Sequence, residues 1–291
     1  KKEIPGIDIV QTDIRDVDAY LPALKKADAV LHLAGQTAVT TSIKDPVLDF
    51  ESNIVGSFKI LEALRNHAPT TPLLFSSTNK VYGDLSHHHM NKNEETKRYE
   101  NTTTPNGVDE TEPVNFISPY GCSNGAVDFY VQDYARSFGM KTVVFRQSCI
   151  YGPMQIGVED QGWVAHFSKQ FLTNKPVNIF GDGYQVRDLL YVDDLVNAYT
   201  LALENIDAVS GETFNVGGGV NNSYSLHQVL DILENEIGTR PAISFSDERL
   251  GDQKYFVSAN TKLDELLVWK PRMDFQKGVK EMIAWQKEYV K

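Results

Sequence analysis

Three short runs of this chain are apolar almost without interruption: Ala29-Val30-Leu31-His32-Leu33, Pro72-Leu73-Leu74-Phe75-Ser76-Ser77 and Thr142-Val143-Val144-Phe145-Arg146. A strand with one face in water alternates apolar and polar residues, whereas a strand covered on both faces does not. Between the runs lie segments with helical spacing. Residues 53–67 carry Ile54, Phe58, Leu61 and Leu64, and residues 118–138 carry Ala126, Phe129, Tyr130 and Tyr134. Buried strands alternating with helices of roughly 10–20 residues describe an α/β fold, a doubly wound parallel sheet with helices on both faces. Ligands bind such sheets outside the carboxyl ends of the strands, so the residues after each apolar run are the first candidates for function.

Local signals set the other elements. Ile7-Asp8-Ile9-Val10 reads as a short strand. Asp16 is placed to cap a helix to about Lys26, with Val17, Tyr20, Leu21 and Leu24 inward. Ser118 suits an N-cap, Pro119 the first helical position and Gly139 the C-terminal cap of the helix between them. Past Tyr151-Gly152-Pro153 the rhythm loosens, with helices expected at 193–204, 226–237 and 275–289. A doubly wound sheet that binds a dinucleotide begins with a strand, a glycine-rich turn and a helix N-terminus for the pyrophosphate. No such turn precedes Asp13. Losing a central strand would leave two rows of unpaired backbone groups. The expectation is that about 45–50 residues, one β-α-β unit, precede Lys1.

Charge narrows the function. The formal net charge is −11 and no Lys/Arg-rich run occurs, which argues against nucleic acid or an anionic membrane as partner. No apolar run approaches the roughly 18 residues of a membrane span. The two cysteines, Cys122 and Cys149, have no metal-ligand spacing, so a reduced, cytoplasmic setting is expected. His87-His88-His89 reads as a solvated loop, because three adjacent histidines cannot all converge on one ion. No metal site is expected.

Two strand-to-helix segments carry chemistry together. Ser76-Ser77-Thr78-Asn79-Lys80 follows the second apolar run, and Ser118-Pro119-Tyr120-Gly121-Cys122-Ser123-Asn124 opens a helix on which Tyr120 and Asn124, four apart, share a face. With Thr12-Asp13-Ile14-Arg15-Asp16, His32-Leu33-Ala34-Gly35-Gln36, Arg187-Asp188-Leu189-Leu190-Tyr191-Val192-Asp193-Asp194 and Asn215-Val216-Gly217-Gly218-Gly219, the chain resembles the extended short-chain dehydrogenase/reductase family, the NAD-dependent nucleotide-sugar epimerases and dehydratases. The longest runs, among them Ser77-Thr78-Asn79-Lys80-Val81-Tyr82-Gly83-Asp84-Leu85 and Asp160-Gln161-Gly162-Trp163-Val164, are similar to the branch that inverts C2 of CDP-linked deoxyhexoses. Dehydratases follow the strand-end threonine with an Asp-Glu acid/base pair, and here Asn79 and Lys80 stand there.

The resemblance implies a Rossmann-like domain over 1–150, to which 184–216 returns, and a smaller mixed α/β lobe over 151–291 that binds the nucleotide sugar. It implies NAD as cofactor, with NADP left open. Asp13, Ile14, Leu33, Ala34, Gly35, Gln36, Asn53, Ser76, Ser77, Tyr120 and Asn124 would hold the cofactor. Asn79, Lys80, Cys149, Gln161, Arg187 and Arg249 would hold a CDP-sugar or other nucleotide sugar. Tyr120 would be the base, Thr78 its partner at the substrate oxygen, and Asn124 would occupy the place of the family's catalytic lysine. A homodimer or homotetramer is expected, through helices 53–67 and 118–138.

Position 124 divides the functional readings. A tyrosine near pKa 10 is only about 0.1% phenolate at pH 7. A cation ~4 Å away, at an effective dielectric of ~20, is worth up to about 4 kcal/mol, some three pKa units. Asparagine brings hydrogen bonds and no charge. One reading is a working C2 epimerase in which another cation, Lys80 for example, activates Tyr120. The other is an impaired homologue that binds both ligands. A nucleotide-sugar 4-epimerase is the alternative within the enzyme class.

Overall fold

The computed structural model describes residues 6–289. The three apolar runs become parallel strands Val30–His32, Leu73–Thr78 and Thr142–Gln147. Thr213–Val216 joins the third on its far side. Register is set pair by pair: Val30 lies beside Leu73, Leu73 beside Thr142 and Val144 beside Thr213. Alternate residues then reach opposite layers. Leu73, Phe75 and Val144 pack with Leu61, Leu64, Val127, Val131 and Tyr134 on one side. Leu74, Val143 and Phe145 pack with Ala198, Tyr199, Phe214 and Trp269 on the other. Both faces of the second and third runs are covered, which is why those runs are unbroken, whereas Leu31 and Leu33 of the first run are 45% and 58% exposed; each fully buried Leu or Val side chain contributes about 1.5–3 kcal/mol.

The second part of the chain is built around strand Val186–Tyr191. It pairs parallel with Cys149–Tyr151 and Tyr255–Phe256 and antiparallel with Ser223–Ser225. Helices Trp163–Leu172, Leu226–Ile237 and Phe275–Tyr289 enclose a core of Phe167, Phe171, Leu230, Leu233, Val279 and Met282. Ser225 and Gln228 close a reciprocal cap at the start of the middle helix. The molecule is a Rossmann-like parallel sheet joined to a smaller mixed α/β region. Among the described residues no helix is long and apolar enough to cross a membrane.

The elements depart from expectation in three places. Residues 7–10 form no strand, and Ile9 is 73% exposed. Among the described residues Val30–His32 pairs only with Leu73–Thr78, so β propensity at 7–10 has no ladder to join. Helix Ser118–Phe138 turns Val127, Val131 and Tyr134 inward and leaves Phe129 and Tyr130 exposed; Phe58 of helix Gly56–His67 is exposed as well. The apolar residues of both helices exceed what the sheet covers. Ser118 has φ +73° and lies outside helical geometry, yet its Oγ accepts the Gly121 N–H at 3.3 Å, which is the capping role. Gly139 ends the helix at φ +65°, as expected.

Candidate active site

A cavity of about 370 Å³ opens at the carboxyl ends of the parallel strands, within the usual range for a small-molecule site. Thr78, Tyr120 and Asn124 all line it. Thr78 arrives at the end of Leu73–Thr78 and Tyr120 in the first turn of its helix, and both face the cavity. Burial raises the Tyr120 pKa, the Thr78 side chain lowers it, and the nearby Asp49 carboxylate raises it. Among the described residues no cation acts on it. Asn124 turns its amide back along the helix, Nδ2 donating to the Tyr120 carbonyl at 2.9 Å.

One wall is made by residues 33–36. Leu33, Ala34, Gly35 and Gln36 line the cavity together with Asn53, Ser76 and Ser77. A Cβ on Gly35 would meet Asn53 Oδ1 at 2.8 Å, so the backbone there passes closer than any other residue permits. Asn53 Oδ1 accepts the Gln36 N–H at 2.7 Å, and its Nδ2 reaches Asp49 and Ser123. Ser77 donates to Asp128, which is paired with buried Arg146 at 2.9 Å, tying sheet to helix. A bare, close backbone backed by amides and hydroxyls fits a dinucleotide. Asp13 and Ile14 lie off this wall: Asp13 pairs with Arg15 at 2.7 Å, and Ile14 packs against Gly56.

The facing wall carries charge. Asn79, Lys80, Cys149, Gln161 and Arg249 line it, as does Asp252. Asp252 Oδ1 takes Lys80 Nζ at 3.1 Å and Arg187 Nη2 at 2.6 Å. Burial works against the Asp252 carboxylate, but Arg187 and Lys80 hold its pKa below the usual range. Burial lowers the Lys80 pKa; Asp252 opposes that and Arg187 adds to it. Arg249 pairs with Asp160 at 2.8 Å and stacks 3.9 Å over the Phe180 ring. Three cations therefore share two carboxylates on this side.

Two expectations change here. Arg187, assigned to the substrate, stands behind Asp252 and off the cavity, because a buried guanidinium takes the nearest carboxylate. Lys80, expected as a cation for Tyr120, is instead paired with Asp252 at 3.1 Å.

Several lining residues escaped the sequence reading. Gln147 donates to Ser76 Oγ at 2.7 Å and Ser148 reaches Asp188 from the end of the third apolar run, so the same strand-end rule would have found them. Trp163 donates its indole N–H to Cys149 Sγ at 3.3 Å, and burial pushes that thiol's pKa up. Away from the cavity, His87 and His89 are exposed, as a solvated loop has them, but His88 is buried. The Nε2 atoms of His87 and His88 meet the two oxygens of Glu112 at 2.8 and 3.1 Å. Asn101 donates to His88 Nδ1 while its own Oδ1 accepts the Thr103 and Thr104 N–H groups, so the His88 proton sits on Nε2 toward Glu112. That arrangement leaves His88 no lone pair for an ion.

Residues 1–217 match the model of the NAD dependent epimerase/dehydratase family. The chain is 41% identical over 287 residues to a CDP-paratose 2-epimerase of Salmonella typhi, covering 96% of this chain and 84% of that one. It is 32% identical to a putative UDP-glucose 4-epimerase of Methanocaldococcus jannaschii, with 97% and 85% covered. In structure it is similar to Thermus thermophilus UDP-glucose 4-epimerase in complex with NAD, at a TM-score of 0.84 and 30% identity, with 99% and 87% covered.

Proposed function

The chain belongs to the NAD-dependent epimerase/dehydratase family, and on that premise we propose that it inverts C2 of a CDP-linked deoxyhexose through transient oxidation to a ketone. The observation that carries the proposal is the Thr78–Tyr120 hydroxyl pair on the cavity wall, with Asn79 and Lys80 beside it in place of two carboxylates. Tyr120 takes the proton from the C2 hydroxyl. Thr78 holds the oxygen that becomes the carbonyl. Leu33–Gln36, Asn53 and Asn124 would hold NAD, which would supply the hydride acceptor for C2. With no carboxylic acid or carboxylate at 79 and 80, elimination of water from the neighbouring carbons has no acid/base pair, so return of the hydride to the opposite face is the remaining course.

Arg249 lies on the substrate side, where a diphosphate takes charge-assisted bonds. Exposed Phe58, Phe129 and Tyr130 form the apolar face of a homodimer, alone or doubled into a tetramer; the Phe58 and Tyr130 rings already meet edge-on at 5.7 Å. A cytoplasmic location accords with two free cysteines.

A second reading is favoured by one observation. Asn124 is bonded to a backbone carbonyl and among the described residues no cation acts on Tyr120, which describes a protein that holds both ligands and turns over slowly. The test is NMR of the purified chain with NAD and a CDP-deoxyhexose in D₂O. Inversion at C2 with the C2 hydrogen retained is expected. Deuterium at C2, or no inversion even with Asn124→Lys, overturns the proposal.

A further inference from the structure

The peptide of Tyr120 is gripped on both sides by residues from elsewhere in the chain. Its N–H is one of the groups in the first helical turn that has no partner within the helix. The acceptor is Ser42 Oγ at 3.1 Å, from helix Val39–Lys44, and Ser42 is fully buried. The same hydroxyl donates to the Val39 carbonyl at 2.7 Å, and Val39 lines the cavity. On the other side the Tyr120 carbonyl accepts Ser123 Oγ at 3.2 Å, and Ser123 Oγ in turn accepts Asn53 Nδ2 at 3.0 Å. Asn53 holds the backbone of Gln36. Two separate paths thus run from the cavity-lining segment 33–40 to one peptide.

We infer that Ser42 is a positioning residue for the base: it ties Tyr120 to the segment that faces the cofactor, so that the phenol is set against Thr78 only while that segment is in place. Pro119 has no N–H to offer, and Ser118 Oγ is taken by Gly121. Ser42 is therefore the group that fixes the height of Tyr120 above the strand ends. The inference rests on the proposed role of Tyr120, and it is tested by a measurement that does not need turnover.

The experiment compares the full-length chain with Ser42→Ala and Ser42→Thr. The phenolate absorbance of Tyr120 near 295 nm, taken as the difference from Tyr120→Phe, is titrated with and without NAD, beside epimerase kinetics and NAD binding. Loss of the Ser42 hydroxyl frees the Tyr120 backbone and lets the phenol shift away from Thr78, whose influence lowers the Tyr120 pKa, so the titration moves to higher pH by half a unit or more. Turnover falls about tenfold, the scale of one lost hydrogen bond, while KM and NAD affinity stay within twofold. Ser42→Thr, which keeps the oxygen, restores the titration. An unmoved titration in Ser42→Ala overturns the inference, as does a parallel fall of kcat, NAD affinity and thermal stability with the titration unmoved. If the parent chain itself lacks turnover, the proposed function fails while the titration still judges Ser42.

Discussion

The two walls of the cavity are charged in opposite ways to what each needs alone. The Tyr120 wall holds a group that would work best beside a cation, and it has a buried carboxylate, Asp49, and an amide, Asn124. The Asp252 wall pairs Lys80 and Arg249 with Asp252 and Asp160, with Arg187 behind Asp252 as a third cation, so its positive charge gathers away from Tyr120. The positive charge in this site is paired with Asp252 and Asp160, apart from Tyr120. That separates binding from catalysis more cleanly than in a site where one lysine serves both, and it makes the walls separately testable.

The largest effect belongs to the base. Tyr120→Phe should lower turnover about a hundredfold or more, the usual contribution of general base catalysis, with both ligands still bound in calorimetry. Equal turnover would erase the contrast between the walls.

The facing wall should respond only in binding. Arg249→Ala should weaken the CDP-sugar more than tenfold, as loss of a charge-assisted bond does, and leave NAD within twofold. Arg187→Ala should weaken it less, because that guanidinium reaches the cavity only through Asp252. Equal losses of NAD and sugar, or a larger effect at Arg187, would show that the walls are not independent.

Adding charge to the Tyr120 wall should sharpen the comparison. Asn124→Lys should raise turnover at pH 7 about tenfold or more by lowering the tyrosine pKa. The sign follows from the phenolate being the active form. Below the tyrosine pKa the rate rises with pH, so lowering that pKa moves the rising limb to lower pH. An unchanged limb in a folded, NAD-binding variant would falsify the slow-turnover reading.

The smallest effect on chemistry lies outside the cavity. Phe58→Glu should convert dimer to monomer in sedimentation at micromolar concentration while turnover stays within about twofold, since this face is remote from Thr78. A monomeric parent chain would remove that interface.

What could be read from residue order was local chemistry. Ser118, Pro119 and Gly139 mark their helix because capping and φ preferences act over a few residues, and the strand-end position of Thr78 follows from an apolar run and its end. Asp252 could not be read, since its partners Lys80 and Arg187 lie 172 and 65 residues away. His88 was misjudged for the same reason: Glu112, 24 residues on, decides its surroundings. Residues 7–10 show the opposite failure, a propensity that stands without a partner strand.

Asp252 also shapes how this protein tolerates change. With two cations on a single carboxylate oxygen, loss of Lys80 or Arg187 alone leaves the charge compensated, whereas loss of both strands a half-buried anion. The two positions are thus redundant under single substitution and interdependent under double substitution, and a double-mutant cycle should return a penalty larger than the sum of its parts. Lineages descended from such a chain could drift at either position, provided the other stayed basic.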